Sequence, residues 1–473
     1  MLRAARQFLA RFIAPPTQRR AFEAAGGGRR WSTAQPFGRV GNETLAATAT
    51  IRARARHTYA NDPFAHAAVE AWVTALVGTG ARATPTHPDR ESRRDLTTAI
   101  GDWSEEADAD GRTSYYGLQQ SLARALVVDG EALAVMVDTD DGLRVRHIPI
   151  ECLADEDTRQ LTGGGCIVAG VEFNAGGERV AYHLRPDVPS ILTPPAMPVR
   201  VDAADVIHLL RPLGAGQVRG LSWLAPVLLK LRELDQLTDA LVVQAKVGAM
   251  FAGFLKDING AGAADMPFDG ATAGSIMVDG LEPGTIKVLP NGWDLTLSSP
   301  PQTQQAPQLV AAEIRAIAVG MGVPAHLVSG DLSEANYGSL RADLTAFRQR
   351  AEGIQYGLLE PALLRRVHAR AVTSLVLTGR LDAPGFATDP RPWLGGEFLF
   401  PRPPWIDPQK DAVAQRELLG AGLTSRRKAA AELGWAVEDL DEEIAADRAR
   451  EKTLGLDFTA SRNPQQEAID ADA

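Results

Sequence analysis

The spacing of apolar and polar positions changes several times along the chain, and each change marks an element. Residues 14–50 show no period. Pro15, Pro16, Gly26, Gly27, Gly28, Arg29 and Arg30 punctuate them, and the stretch reads as poorly ordered. From about Ile51 the pattern becomes regular. Phe64, Ala68, Trp72 and Leu76 recur at i, i+4 within 61–78, which predicts a helix with one apolar face. Asn61 or Asp62 supplies the N-cap, Pro63 suits the first helical position, and Gly78 and Gly80 stop the run. Further helices are expected near 91–109 and 117–128.

The period then shortens to two. Residues 131–150 read as two strands around the Asp-Asp-Gly turn at 140–142, and 170–184 repeat the design with Asn174 to Gly177 as the turn. No βαβ alternation is visible, so the expected class is α+β. After the turn GAGQVRG (214–220) a helix is expected. It carries a stripe of Leu224, Val227, Leu228, Leu231, Leu234, Leu237, Leu241 and Ala245, spaced close to 3.5 residues as in helices packed on long neighbours, with Pro226 in its first turn.

Residues 248–301 lose that stripe, are rich in Gly and Pro, and end in the strand-like 286–297. A helix follows at about 305–321, ending at Gly322 before Pro324. The polar, turn-rich SGDLSEANYGS (329–339) leads into a helix at roughly 339–369 with Leu340, Leu344, Phe347, Ala351 and Ile354 on one face. A Pro- and Trp-rich passage (384–408) precedes a helical pair at about 407–420 and 424–450, with Ser425 as a cap. Glu438, Asp439, Asp441, Glu442, Glu443 and Asp447 make the last helix acidic. The residues from about 456 read as a flexible tail.

Length and composition narrow the classes. The 473 residues, 50.5 kDa, allow about three domains of ~100–200 residues, and 45% hydrophobic with 23% charged is ordinary for a chain that buries a core. The formal charge is −10, which argues against a protein that wraps nucleic acid along its whole surface. That charge is unevenly spread. Residues 1–60 hold eleven Arg, no Lys and two acids, a net +9, so the rest carries −19. The Arg-rich MLRAARQFLARFI reads as a basic arm rather than a targeting peptide. It is either free in solvent or laid on nucleic acid or an acidic partner. Two cysteines, Cys152 and Cys166, exclude a disulfide scaffold and a four-cysteine zinc site. No apolar run approaches the ~18–20 residues that span a bilayer, so no membrane role is expected.

Motif chemistry is mostly absent. The chain has no Gly-Lys dipeptide, hence no GxxxxGK[ST] phosphate loop, and no HExxH, CxxC or GxSxG. His57 and His66, nine residues apart, read as surface and helix-packing residues rather than metal ligands. The glycines of GAGQVRG do not follow GxGxxG, and the segment reads as a tight turn. The six acids of the last helix spread around its axis and read as a solvated or partner-facing surface. No catalytic residue, cofactor or metal site emerges.

A set of motifs in fixed order is more informative. RRAFEAAGGGRRW (19–31), the stretch 52–80, DGE (129–131), GQVRG (216–220), GVP (322–324), DLSEANYGSLR (331–341), PPWIDPQKDAVA (403–414) and GLTSRRKAAAELG (422–434) resemble the lambda-type family of tailed-phage portal proteins from about Arg19 to Leu456. Two departures stand out: Ala60 where the family often has Arg, and Gly338 then Ser339 where it often has two serines.

The resemblance implies a portal fold assembled as a ring, usually of twelve chains, at one capsid vertex of the virion. It implies a flexible basic arm (1–50), a wing (51–221 with 324–404), stem helices at 222–247 and 305–323, a small β-rich clip (248–304), a helical crown (405–455) and a tail (456–473). The implied role is DNA passage during packaging and ejection, with no enzymatic activity of its own. The implied partners are other copies of the chain, double-stranded DNA without sequence preference, the terminase large subunit, head-completion and adaptor proteins, and capsid and scaffold proteins, with assembly in the host cytoplasm. Asp331, Ser333, Glu334, Asn336, Tyr337, Ser339 and Arg341 become tunnel-loop candidates facing DNA, and Lys230, Arg232, Lys246 and Arg315 become channel-stem candidates. The plainer reading of each stem cation is an ion pair with Glu233, Asp235 or Glu313. The competing function, a metal-dependent nuclease or hydrolase, rests only on the richness in acids. Another ring-forming capsid component is the milder alternative.

Overall fold

The computed structural model describes residues 38–186, 196–250, 254–257, 293–296, 306–333, 336–401, 408–432 and 437–456. The basic arm before residue 38, nearly all of the segment 248–304, the PPWID part of 403–407 and the tail after 456 lie outside the described residues.

The first helix overturns part of the expected disorder in 14–50. Helix α1 runs Val40–Asn61 and buries Gly41, Thr44, Thr48, Arg52 and Ala55 on one stripe. The stripe keeps helical spacing but is made of small and polar residues, so hydrophobic periodicity does not reveal it. Thr44 Oγ1 donates to the carbonyls of Val40 (2.9 Å) and Gly41 (3.0 Å), and Thr48 Oγ1 donates to that of Gly220.

Helix α2 (Pro63–Leu76) starts as its sequence requires. Asp62 Oδ1 accepts from the Ala65 amide at 2.8 Å, and Pro63 occupies the first turn. Ala65, Ala68, Val69, Trp72, Val73 and Leu76 are buried. Trp72 ties distant parts together. Its Nε1 donates to Met321 O at 2.9 Å, and its ring meets Trp223 and Phe347 edge-on at 5.1 and 4.9 Å. Helices α3 (Arg90–Glu106, capped by Asp89) and α4 (Tyr115–Val128) follow.

The hairpins form where the alternation places them. Strands β2 (Glu131–Thr139) and β3 (Gly142–Ile148) pair antiparallel with Thr139 opposite Gly142, and β9 (Val206–Leu210) pairs on the other edge of β2. A second antiparallel sheet orders β4 (Arg159–Gln160), β5 (Cys166–Val168), β6 (Val171–Phe173), β7 (Arg179–Leu184) and β8 (Val199–Asp202) in sequence. Leu133, Ile148, Leu153, Val171, Tyr182, Leu184 and Val206 form a core of their own between the sheets. Each such aliphatic side chain contributes roughly 1.5–3 kcal/mol by leaving water. Both cysteines are free, Cys152 buried and Cys166 half-buried. Strand β1 (Arg82–Pro85) pairs antiparallel with β12 (Gly396–Leu399), closing the two ends of this body on each other.

The helix expected at 222–247 starts later. Residues 222–227 form tight turns, with Ala225 N bonded to Ser222 O and Val227 N to Leu224 O, and α5 runs Leu228–Met250. Pro226 disfavours the helical conformation at Ala225, which delays the start. Leu224, Val227, Leu231 and Leu234 are buried, whereas Val242 and Val243 are 50% and 56% exposed. Along the stripe itself Leu237 and Leu241 are half-buried and Ala245 is exposed, so its cover thins away from the root. Of the following segment, β10 (Phe254–Asp257) and β11 (Trp293–Thr296) are described and pair antiparallel. Helix α6 (Ala306–Met321) matches expectation, and the short α7 (Ala325–Ser329) ends at Gly330, whose φ of 69° is left-handed.

The long helix expected at 339–369 runs further, as α8 (Tyr337–Ile354), a wide π-helical stretch (Gln355–Leu364) and α9 (Arg365–Leu377). Pro361 has no N–H to give and falls inside the widened stretch. Gln355 Nε2 there donates to the carbonyls of Ala75 (2.9 Å) and Leu76 (3.0 Å), satisfying the end of α2. The short α10 (Arg391–Leu394) leads into β12. Near the C-terminus α11 covers Pro408–Gly420. The helix expected at 424–450 is described as α12 (Arg426–Glu432) and α13 (Val437–Leu454). Ser425 Oγ accepts from Lys428 N at 3.2 Å, the cap its sequence predicts.

Candidate functional site

The candidates drawn from sequence lie on α5, on α6 and on the loop from α7 to α8. Lys230 on α5 pairs with Glu313 on α6 at 2.9 Å, and that contact raises the lysine pKa. Arg232 is held by Asp235 one turn along its own helix at 2.9 Å. Lys246 is exposed on the same helix, sixteen residues and about 24 Å beyond Lys230. The stem cations therefore do not converge. They are spread along a helix pair, where Lys230 has the interhelix ion pair of the plainer reading and Arg232 pairs within its own helix.

The loop candidates are largely engaged with their own backbone. Asp331 Oδ1 accepts from Ser333 N at 2.9 Å. That bond, the Ser333 hydroxyl and the more distant charge of Arg315 hold its carboxyl below the ordinary range. Asn336 and Ser339 form a reciprocal cap on α8: Asn336 Oδ1 accepts from Ser339 N at 2.8 Å, and Ser339 Oγ accepts from Asn336 N at 3.2 Å. The serine that follows Gly338 thus does its work through the cap. Arg315 and Arg341 are exposed. Glu334 and the side chain of Tyr337 lie outside the described residues.

A second assembly, which residue-by-residue reasoning did not single out, lies at the root of α5. Glu131, at the start of β2, is fully buried. Its Oε1 accepts from Arg219 Nε (3.0 Å) and Nη2 (2.9 Å). Its Oε2 accepts from the Gly220 amide (2.8 Å) and from His208 Nε2 (3.0 Å). Arg52 of α1, 4% exposed, brings Nη2 to 3.6 Å of Glu131 and Nη1 to 3.4 Å of Glu151. Burial alone would raise the Glu131 pKa. The His208 hydrogen bond and the Arg219 charge outweigh it and hold the carboxyl at about 2. Arg56, one turn beyond Arg52, grips Asp129 with two bonds of 2.6 and 2.7 Å and reaches Glu151 at 2.8 Å.

Glycines make this approach possible. Gly130 has φ 86°, and a Cβ there would lie 2.0 Å from the Leu221 carbonyl carbon. One on Gly220 would lie 2.2 Å from Gly130 O. The DGE and GQVRG motifs, ninety residues apart, are therefore one structural unit. It bolts the root of α5 to α1, α4, β2 and β9, with Trp223 N bonded to Val127 O at 3.0 Å. The available signal was an acid between Asp-Gly and Ala-Leu in one motif and an Arg-Gly in the other. Nothing in either spacing says that they meet.

Among the described residues no group of three His, Cys, Asp or Glu side chains is placed to hold a metal, and no helix is long and apolar enough to cross a membrane. His57 is bonded to Asn61, and His66 stacks on Tyr59 at 5.0 Å.

Comparison with known proteins gives a consistent result. A family model described as phage portal protein, lambda family, matches residues 27–355. A curated relative, a probable portal protein of Halomonas phage phiHAP-1, is 25% identical over 402 residues, 81% of this chain and 75% of that protein. Among solved structures, the virion of a native gene transfer agent particle contains a chain 18% identical. The match covers 87% of this chain and 96% of that one, with a TM-score of 0.44. An HK97-family phage portal protein from Corynebacterium diphtheriae is 14% identical over 71% of this chain and 93% of that one, with a TM-score of 0.31.

Proposed function

The chain belongs to the lambda family of phage portal proteins, and from that premise we propose that it closes into a ring of about twelve copies at one capsid vertex and passes DNA through its centre. Residues 51–221 and 324–404 serve as the wing, α5 and α6 as the stem, 248–304 as the clip and 405–455 as the crown. The terminase motor docks on the clip during packaging, and head-completion proteins dock there afterwards. Capsid and scaffold proteins receive the ring during assembly in the host cytoplasm. Residues 329–339 form the tunnel loop, and Lys246, Arg315 and Arg341 act with Lys230 and Arg232 on the passing duplex.

One observation carries the ring. The stem helices leave large apolar side chains uncovered: Leu229 is 75% exposed, Val242 50%, Val243 56%, Leu309 50% and Val319 80%. A neighbouring copy covers such a surface with no new partner, and cyclic symmetry closes the set. The charge favours a conduit that does not hold its cargo. Twelve copies at −10 carry −120, and each neutralised phosphate would add salt-dependent affinity that brakes sliding. The chain has no phosphate-binding loop, so the energy for translocation belongs to a separate ATPase.

Native mass with negative-stain imaging of the same fraction tests the reading. Twelve copies of 50.5 kDa, about 606 kDa, with a central hole is the expected result. A chain that stays monomeric across salt and concentration, and with scaffold protein added, overturns it.

A further inference from the structure

Between α4, α9 and β12 lies a cavity of about 20 Å³, lined by Ala81, Ile100, Leu364, Ala371 and Phe398 together with Ser104, Tyr115 and His368. Its polar groups are unusual in one respect. Tyr115 and His368 are 8% and 5% exposed, and among the described residues neither the Tyr115 hydroxyl nor either ring nitrogen of His368 meets a hydrogen-bond partner. These three atoms border one cavity, and buried polar groups in folded proteins are nearly always paired, with water where no protein group reaches them. Ser104 Oγ donates to Gly101 O at 2.7 Å and keeps its lone pairs for a second bond.

The chemistry selects the occupant. Burial holds His368 down to about 4 and pushes the Tyr115 phenol up, so both are neutral near pH 7. A charged ligand would find no counter-charge in this lining. A volume of this size admits one water, which needs ~10–15 Å³ and two to four polar partners. Phe398 stands edge-on to His368 at 5.6 Å and Trp103 beside Tyr115 at 5.2 Å, so the aromatic walls fix both polar rings.

We propose that this cavity is a binding site for a single structural water that accepts from Tyr115 Oη, donates to a ring nitrogen of His368 and uses Ser104 Oγ as its third partner. The water joins α4 to α9, elements some 250 residues apart in the chain. It adds a link between the N-terminal and C-terminal parts of the body, which Arg370–Asp138 and Arg380–Glu106 also join.

The test uses the assembled full-length chain at a resolution of 2 Å or better. The expected result is one ordered peak about 3 Å from Tyr115 Oη and from a His368 nitrogen, lost in Tyr115→Phe. No peak, or a peak bonded to neither group, overturns the proposal. A denaturation cycle with Tyr115→Phe, His368→Leu and the double variant gives a second reading. A shared water makes the double variant lose less than the sum of the single losses. Additive losses overturn it, and a variant that fails to fold leaves the wild-type density to decide.

Discussion

The joint around Glu131 and the exposed α5 and α7–α8 loop both rely on charged and polar side chains, but to opposite ends. At the joint, Arg52, Arg219 and His208 are nearly or fully buried and converge on the buried Glu131, the last two by hydrogen bonds and Arg52 by a 3.6 Å ion pair, bringing α1, β2, β9 and the loop before α5 together. Along the stem and loop, Lys230, Arg232, Asp331, Asn336 and Ser339 face solvent and make short-range bonds to an adjacent helix or to their own turn. Buried charge without water has one low-energy arrangement, so it fixes geometry. Exposed charge has many, so it constrains the fold less.

Changes to the joint should therefore be felt most. Glu131→Gln leaves the buried Arg219 uncompensated and should cost about 3–5 kcal/mol in chemical denaturation. A cost below about 1 kcal/mol would place the joint in the same class as a surface pair. The same residue predicts an acid window. The folded pKa of Glu131 lies at about 2, below its unfolded value near 4.5. Its contribution is therefore complete above pH 4.5 and is lost as pH falls towards 2. The melting-temperature gap between wild type and Glu131→Gln should narrow across that range and hold constant above it.

The loop should respond less. Asn336→Ala removes the side-chain acceptor for the Ser339 amide and half of the reciprocal cap, and should cost about 1 kcal/mol. Its effect is expected at the α8 start, read as faster amide exchange at Tyr337 to Leu340 with the rest of the chain unchanged. Smallest of all, Lys230→Ala should leave the melting temperature within error of wild type, because its ion pair with Glu313 is exposed. A clear drop would move the stem pair into the fixed class.

The contrast also explains what the sequence made legible. Helix α2 was readable because Phe64, Ala68, Trp72 and Leu76 are apolar at helical spacing and Asp62-Pro63 announces the start. The hairpin at 131–148 was readable because its alternation and its Asp-Asp-Gly turn are local. Helix α1 was not, since Gly41, Thr44, Thr48 and Arg52 bury a polar stripe that only the Gly220 carbonyl and Glu131 make sense of. The delayed start of α5 turned on one proline, and the π stretch at 355–364 on another. The motifs DGE and GQVRG were visible, but their meeting is a tertiary fact between segments ninety residues apart. Asp331, Ser333 and Asn336 lie in the polar turn expected there, whereas Tyr337, Ser339 and Arg341 fall within α8, and the capping role of Asn336 and Ser339 emerges from the geometry at the helix start.

Hydrogen exchange on the assembled full chain tests the division most directly. The amides of Gly220 and Trp223, bonded to Glu131 and to Val127, should exchange at least about a hundredfold more slowly than those of Asp331 and Ser333 in the loop. Equal rates at the two places would contradict a rigid joint set against a loop held only by local bonds.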